Sequence, residues 1–269
     1  MKGKSEAPRP QGGASRKGIK RNSWGSSTAT PKDAGPSTSA PGQPQCAGCA
    51  VPGENKACMN PQGAGPKGCP TLGRKADVQK AKGEYRKENI AEFARKASVQ
   101  EGECYAGREN RPYTMHPVKP RILEICEFAD KMGYRKVGLA FCGGLPREAA
   151  IVNEILKSHG FETISVVCKA GAVPKEEIGV RDEEKIFIGH HESMCNPILQ
   201  AKLLNDAATE FNIVLGLCVG HDSLFFKYAK APTTVLAVKD RVYGHNPLAC
   251  IYTVGNYSSW VTKPPWRSP

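Results

Sequence analysis

The sequence predicts an α/β fold with a parallel, Rossmann-like sheet covered by helices, preceded by an N-terminal four-cysteine metal-binding module. From Val118 onward, apolar runs of strand length alternate with stretches of helical spacing, which is the pattern of consecutive βαβ units. Glycines follow several of these runs, as a tight strand-to-helix turn requires. Four cysteines fall within residues 46–69, a stretch with few large apolar side chains. These three observations predict the architecture.

The individual elements follow from apolar periodicity and from signals at their ends. A Gly after the last helical turn, or an Asn-Pro pair before the first one, marks the limits of a helix. The predicted helices run from Gly83 to Glu103, from Ile122 to Met132, from Pro146 to Gly160, from Pro197 onward and from His221 onward. The predicted strands are Lys136–Phe141, Phe161–Val167, Lys185–Ile188, Phe211–Leu217 and Thr234–Val238.

Shifts in composition divide the chain into five segments. We expect a disordered basic leader at residues 1–45, the four-cysteine metal-binding module at 46–72, a helical connector at 73–116, the α/β domain at 117–255 and a C-terminal tail at 256–269.

The leader is rich in Pro, Gly, Ser and basic residues, and after Met1 its only large apolar side chains are Ile19 and Trp24. It cannot bury enough apolar surface to offset the entropy of ordering. Its eight Lys or Arg and two acidic residues supply half of the net charge of +12, so nucleic acid is a non-specific partner at most. We expect a cytoplasmic protein without membrane association; the alternative is an organelle, because this composition also suits a transit peptide.

The four-cysteine module has too few apolar side chains to fold by hydrophobic burial alone. Zinc held by four thiolates contributes roughly 10–16 kcal/mol at neutral pH and supplies the missing cross-links. The wide gaps between the later thiols favour zinc over an iron–sulfur cluster, which is the alternative cofactor. The expected metal ligands are Cys46, Cys49, Cys58 and Cys69.

Further thiols fall where predicted strands end. Cys142, Cys168 and Cys218 each follow an apolar run, and Cys195 precedes the Asn-Pro helix start. Since the carboxyl ends of parallel strands share one edge of a sheet, we expect these thiols to lie near one another. Helix N-termini and cationic neighbours lower the pKa of a thiol, which makes Cys195 and Cys218 the best candidates for thiolates.

Two histidines accompany these thiols. His221 lies three residues after Cys218, and His245 lies in the segment Lys239–Pro247 after the last strand. An imidazole near thiols serves as a ligand, a proton carrier or an orienting group. The candidate functional residues are therefore Cys142, Cys168, Cys195, Cys218, His221 and His245. The alternative is that cysteine is simply common in buried strands.

The motifs exclude several phosphate chemistries. The segment Cys142–Arg147 resembles a phosphatase loop, but four residues rather than five separate its Cys from its Arg. No Gly-x-Gly-x-x-Gly follows a strand, and the sequence has no Walker-type Gly-x-x-x-x-Gly-Lys-Ser/Thr loop, so nicotinamide and ATP receive no support. Eleven cysteines without a secretory-type apolar stretch indicate a reducing compartment, where clustered thiols bind metals or perform chemistry more often than they form disulfides.

Longer motifs resemble one family. They are Cys-x-x-Cys with a later Cys-Pro-Thr, Ala-Phe-Cys, Cys-Asn-Pro-Ile, Gly-Leu-Cys-Val-Gly-His-Asp-Ser-Leu-Phe, Ala-Pro-Thr-Thr-Val and Val-Lys-Asp-Arg-Val-x-Gly-His-Asn-Pro. From Cys46 to Tyr252 the chain resembles the prokaryotic proteins of domain of unknown function 1847, usually described as uncharacterised metal-binding proteins. The resemblance implies metal binding, most directly through the four-cysteine module, and implies no substrate or reaction.

The expected function is that of a metal-binding protein with a structural four-cysteine site and a second, thiol- and His-rich functional site at the carboxyl edge of the sheet. Redox or metal-dependent chemistry is the activity that such a second site suggests. One alternative is non-catalytic binding and delivery of a metal ion or an unidentified small ligand. Another is a zinc-ribbon-like interaction module. The sequence leaves open whether the protein is an enzyme.

Overall fold

The structure is a computed structural model that describes residues 43–263. The expected disordered leader therefore lies outside the described residues except for its last three positions, and so does the end of the C-terminal tail.

The helices and strands of the described part alternate from residue 121 onward. The helices are α1 (Pro70–Gly73), α2 (Lys75–Glu84), α3 (Glu88–Glu103), α4 (Arg121–Met132), α5 (Pro146–Ser158), α6 (Pro197–Asp206), α7 (His221–Tyr228) and α8 (Pro247–Tyr252). The strands are β1 (Tyr105–Ala106), β2 (His116–Pro117), β3 (Lys136–Phe141), β4 (Glu162–Val167), β5 (Phe211–Leu215) and β6 (Thr233–Ala237). Short 3-10 helices lie at Cys46–Gly48, Gly53–Asn55, Lys175–Ile178, Asp182–Glu184 and Ser259–Thr262.

Within residues 43–263, four strands form a parallel sheet in the order β4-β3-β5-β6. The chain leaves β3 for one side of the sheet and returns to the other side at β5, so the strand order reverses between these two strands. Open α/β sheets bind ligands at such a reversal, outside the carboxyl ends of the strands. The predicted parallel sheet covered by helices is confirmed.

The two faces of the sheet are covered by different helices. Alternate side chains point to opposite faces of a strand, so Leu139 joins the buried cluster with α4 and α5, whereas Ala140 joins the cluster with α6 and α7. Leu204 of α6 and Phe225 of α7 are fully buried in that second cluster. The second face is the one that positions the thiols.

The predicted strand Lys185–Ile188 is wrong. This segment is a turn with exposed Ile186 and Phe187 side chains. The Glu192 carboxylate accepts hydrogen bonds from the backbone N–H groups of Ile186 and Phe187, at 2.9 and 3.2 Å. Because these amides are already bonded to a side chain, they are not free to join a strand ladder.

The connector forms two helices where the sequence predicts one from Gly83 to Glu103. Helix α2 ends at Glu84, and Lys87 is in an extended conformation at the start of α3. Helix α3 then packs on α4, with the rings of Phe93 and Phe128 edge to face at 5.0 Å between centroids.

Candidate functional site

The four cysteines of the four-cysteine module line one cavity of about 230 Å³. Short turns surround it, and Ala57 and Ala64 are joined by a backbone hydrogen bond of 2.8 Å. Gly65 packs so closely on the last thiol that an added Cβ would lie 2.6 Å from Cys69 Sγ. Across residues 43–263, however, no three His, Cys, Asp or Glu side chains are placed to hold one metal ion. The sulfurs therefore surround a common space without converging on one point.

Cys142 and Cys168 follow neighbouring strands at the same edge of the sheet. Phe141 of β3 is paired with Val167 of β4, and Cys168 N–H donates to the Phe141 carbonyl at 2.9 Å. The period of two places Cys142 on the same face as Ala140, and both cysteines pack in the cluster covered by α6 and α7. Each thiol shifts the pKa of the other, downward for Cys142 and upward for Cys168.

Cys195 is brought to the same place by the start of α6. The Asn196 side chain caps this helix by accepting from Leu199 N–H at 3.0 Å, as the sequence predicts. The backbone N–H of Asn196 donates to the Cys168 carbonyl at 2.7 Å. Cys195 consequently packs in the same cluster as Cys168, and Cys168 lowers the pKa of Cys195.

His221 is the first residue of α7 and reaches Cys195 from the other side. The turn that delivers it passes through Gly216 and Gly220, whose φ angles are +68° and +84°. Cys195 raises the pKa of this imidazole, whose Nδ1 atom is buried without a hydrogen-bond partner. We call Cys142, Cys168, Cys195 and His221 the thiol relay.

The electrostatics of the thiol relay favour thiolates at its two outer sulfurs. The hydrogen bond from Cys168, followed by the Gly144 N–H and Lys239, lowers the pKa of Cys142 to about 5. The hydrogen bond from Cys168, followed by His221, lowers the pKa of Cys195 to about 4.

Opposite shifts affect the other two members of the relay. Hydrogen bonds to its two sulfur neighbours, together with burial, raise the pKa of Cys168. The hydrogen bond to Cys195 raises the pKa of His221, so the imidazolium is favoured beside a thiolate.

One proton at Cys168 serves two neighbours. A thiol has a single S–H hydrogen, so Cys168 donates to one outer sulfur at a time, and the three thiols titrate as one group. Each outer sulfur also has a cationic partner of its own, which is Lys239 for Cys142 and His221 for Cys195. The arrangement can therefore hold a reactive thiolate at neutral pH.

The structure does not bring the other two predicted residues into these contacts. Cys218 lies three residues beyond the end of β5, and its sulfur accepts a hydrogen bond from Arg241 Nη2 at 3.3 Å. His245 has a φ of +65°, and its Nδ1 accepts from Asp240 N–H at 3.2 Å. Both residues belong to the loop region beside the relay.

Lys169 and Gln200 are near the relay and are not predicted by any sequence motif. Lys169 adds positive charge that lowers the pKa of Cys195, and its ammonium group bonds the Ser193 carbonyl. Gln200 is fully buried on α6, and its Nε2 donates to the carbonyls of Val166 at 2.7 Å and Phe141 at 3.2 Å. Two features of the sequence could have indicated them. Lys169 directly follows a thiol at the end of a predicted strand, and Gln200 is a lone amide on an apolar helix face.

A cavity larger than that of the four-cysteine module lies at the edge of the sheet opposite the relay. This cavity, about 530 Å³, lies where β5 and β6 begin, and its lining includes Phe93, Cys104, Arg121, Glu124, Phe128 and Phe211. Burial, and then Glu124, raise the pKa of Cys104, so this thiol is a poor nucleophile. We take the relay as the candidate functional site because the pKa values of Cys142 and Cys195 are lowered.

Two comparisons with known proteins extend these observations. The profile of the family described as Protein of unknown function (DUF1847) matches residues 69–236, which is more than half of the chain. The chain is 44% identical over 180 residues to the uncharacterized protein MJ0455 of Methanocaldococcus jannaschii, covering 67% of this chain and 86% of the relative. The chain belongs to the DUF1847 family. Neither the family description nor the name of the relative states a reaction.

The matched range of this DUF1847 protein contains the whole thiol relay and Cys69. The other three thiols of the four-cysteine module precede it, and His245 follows it. Among the helices of residues 43–263, none is long and apolar enough to cross a membrane.

Proposed function

We propose that this DUF1847 protein is a metal-binding thiol protein, with a structural zinc ion in the four-cysteine module and thiol chemistry at the relay. The observation that supports the relay is the packing of Cys142, Cys168 and Cys195 in one cluster at the ends of the strands, where neighbouring members of the relay shift one another's pKa values. These side chains come from four separate elements, the ends of β3 and β4 and the starts of α6 and α7. They meet beside the strand-order reversal, where α/β proteins place their chemistry.

The four-cysteine module fits zinc in the kind of its ligands. Four thiolates form the usual ligand set of a structural zinc site, and zinc bound there would cross-link turns that have no apolar core of their own. The shared cavity supports this assignment, since the four thiols already border one space. An iron–sulfur cluster, which also takes four thiolates, is the alternative occupant.

The relay fits a nucleophilic thiolate. A cysteine paired with an imidazolium is activated at neutral pH, and the histidine can return a proton to a leaving group. Cys195 has this pairing with His221, and it is half-buried rather than sealed. It is therefore the residue that we assign as the nucleophile.

A second candidate function is binding and delivery of a soft metal ion at the relay. Its support is the ligand type, three thiols and one imidazole, and the buried Nδ1 of His221 that has no hydrogen-bond partner. Thiolate and imidazole ligands suit zinc and Cu(I). On this alternative, the protein performs no turnover.

Alkylation by iodoacetamide at varied pH tests the thiol chemistry. A thiol with the ordinary pKa of about 8.5 gains thiolate roughly 75-fold between pH 6 and pH 8, whereas the pKa of Cys195 is lowered to about 4. We expect the rate at Cys195, followed by peptide mass spectrometry, to be almost flat over this range. Free N-acetylcysteine measured alongside provides the ordinary slope.

Two variants serve as the test and the control of this experiment. His221→Gln removes the imidazolium, and so the rate at Cys195 should rise with pH. Cys250→Ser removes a half-buried thiol outside the relay and should leave the flat profile unchanged. A steep profile in the unmodified protein would contradict the proposal.

Elemental analysis of anaerobically purified protein separates the two candidate functions. One zinc per chain, lost in Cys49→Ser and kept in Cys195→Ser, is the result expected for a structural ion beside a metal-free relay. A second metal equivalent that disappears in Cys195→Ser would instead favour metal binding and delivery.

A further inference from the structure

We propose that Cys168 is the shared partner of two alternative disulfides, one with Cys195 and one with Cys142. On this proposal the relay takes oxidising equivalents from a small anionic disulfide at Cys195 and passes them to Cys142. The inference rests on the proposed thiol chemistry and names its reaction class, thiol–disulfide exchange.

The backbone suits a bond between Cys142 and Cys168. Adjacent strands are about 4.8 Å apart, and disulfides join residues whose Cα atoms are about 4.4–6.8 Å apart. These two cysteines follow a paired position of β3 and β4, and the Cys168 N–H continues the pairing at 2.9 Å from the Phe141 carbonyl. Both side chains also pack in the same cluster on one face of the sheet.

The backbone also holds Cys195 against Cys168. The 2.7 Å hydrogen bond from Asn196 N–H to the Cys168 carbonyl joins the start of α6 to the end of β4. In residues 43–263 no three His, Cys, Asp or Glu side chains surround one point, although Cys142, Cys168 and Cys195 pack in one cluster. A disulfide needs one pair of sulfurs at a time, whereas a tetrahedral ion needs four ligands around one point.

Burial decides where a substrate enters. Cys168 is only 2% exposed, so an incoming disulfide cannot reach it, while both outer thiols are half-buried. Cys195 raises the pKa of His221, so an imidazolium beside Cys195 can protonate a leaving sulfur.

Three cations select the charge of the substrate. Lys169 lowers the pKa of Cys195, and Lys239 lowers the pKa of Cys142. Arg241 donates a hydrogen bond to the nearby Cys218 sulfur. Positive charge at a site attracts anionic ligands and raises their association rate. A disulfide with carboxylate groups is therefore the expected class.

The first exchange makes the disulfide between Cys168 and Cys195. The Cys195 thiolate attacks one sulfur of the substrate, the substrate S–S bond breaks, and the leaving sulfur takes the proton of the His221 imidazolium. Cys168 then transfers its S–H proton to Cys142 and attacks Cys195, which releases the second substrate sulfur as a thiolate. One substrate disulfide is reduced to two thiols, and two protein thiols are oxidised to one disulfide.

The second exchange moves that disulfide without further oxidation. Cys142 loses its proton to solvent and attacks Cys168. The bond between Cys168 and Cys195 breaks, and its electron pair leaves on Cys195. His221, reprotonated from solvent, stabilises the departing thiolate. A second substrate that reacts there stays on Cys195 as a mixed disulfide until the bond between Cys142 and Cys168 is reduced.

One equivalent of dithiobis(nitrobenzoic acid), an anionic disulfide with a coloured thiolate product, tests this sequence on the intact zinc-loaded chain without oxygen. We expect two coloured thiolates per chain. Disulfide mapping after an acid quench should find Cys168 joined first to Cys195 and later to Cys142. Among alkyl disulfides, whose leaving thiols have similar pKa values, cationic cystamine should react about tenfold more slowly than anionic oxidised glutathione.

Three variants resolve the steps. Cys168→Ser should release one coloured thiolate and keep the reagent on Cys195. Cys142→Ser should release two and stop at the bond between Cys168 and Cys195; this half-buried position provides the test if Cys168→Ser does not fold. Cys250→Ser should behave as the unmodified chain.

A reduced Cys168 after reaction of the unmodified chain would overturn the relay. If alkylation of Cys195 is nonetheless flat with pH, the proposed thiol chemistry survives that failure. If alkylation follows the slope of N-acetylcysteine, both proposals fail.

Discussion

The four-cysteine module and the thiol relay both depend on cysteines, and they are assembled in opposite ways. The module collects four thiols from 24 consecutive residues, 46–69, that hold no buried side chain. The relay collects its residues from positions spread over residues 142–221, and buried β-strands and helices hold them in place. On the proposed function, a bound ion organises the chain in the first region, whereas in the second region the folded chain positions the sulfur atoms.

This difference separates structure from chemistry. A region that depends on an ion for its shape loses that shape when the ion is removed. A region placed by a hydrophobic core keeps its shape and can use its thiolates for reactions. Each of the following changes should therefore affect one region and spare the other.

The largest effect is expected from Cys49→Ser in the module. Structural zinc sites contribute roughly 10–16 kcal/mol, so the loss of one thiolate should release the ion and expose residues 46–69 to proteases. Zinc content and limited proteolysis measure this, and the flat alkylation profile of Cys195 should be retained. Unchanged zinc content would show that the four-cysteine module does not hold the ion.

An intermediate effect is expected from Phe225→Ala under the relay. Phe225 is fully buried on α7, the helix that carries His221, and its truncation should lower the free energy of unfolding by about 3–5 kcal/mol. Urea denaturation measures the loss. Zinc content should stay unchanged.

The neighbouring side chain provides the matched control. Phe226 is 43% exposed on the same helix, and Phe226→Ala should cost less than about 1 kcal/mol. Equal losses for the two variants would show that α7 is not anchored through the cluster beneath the relay.

The smallest effect is expected from Asn196→Ala at the start of α6. Loss of the cap on Leu199 N–H should cost about 1 kcal/mol, and Asn196→Ser, which keeps a capping oxygen, should restore most of it. Because α6 presents Cys195, its alkylation should also become more dependent on pH. A stability loss without that change would show that the cap supports the helix and not the thiolate.

Local signals in the sequence predict much of the sheet. Asn196 and Pro197 start a helix as expected, since capping depends on residues within one turn. Residues 185–188 have the apolar side chains of a strand, but Glu192 captures two of their amides and Lys185 is buried against acidic side chains. That competition arises from the folded loop, so periodicity cannot predict it.

The candidate site is predicted in part for the same reason. Strand register brings Cys142 beside Cys168, and a strand-end rule anticipates it. The contact between Cys168 and Cys195 depends on the path of the intervening loop. The sequence equally does not distinguish His221, which meets a sulfur, from His245, which meets a backbone amide.

Gln200 links the geometry of the sheet edge to a single helix. Both hydrogens of its amide nitrogen are used, one at each of two adjacent strand ends, on the carbonyls of Val166 and Phe141. The gap between Cys142 and Cys168 therefore depends on how α6 is seated. A ligand or partner that tilts α6 would therefore change the pKa values of Cys142 and Cys168 together.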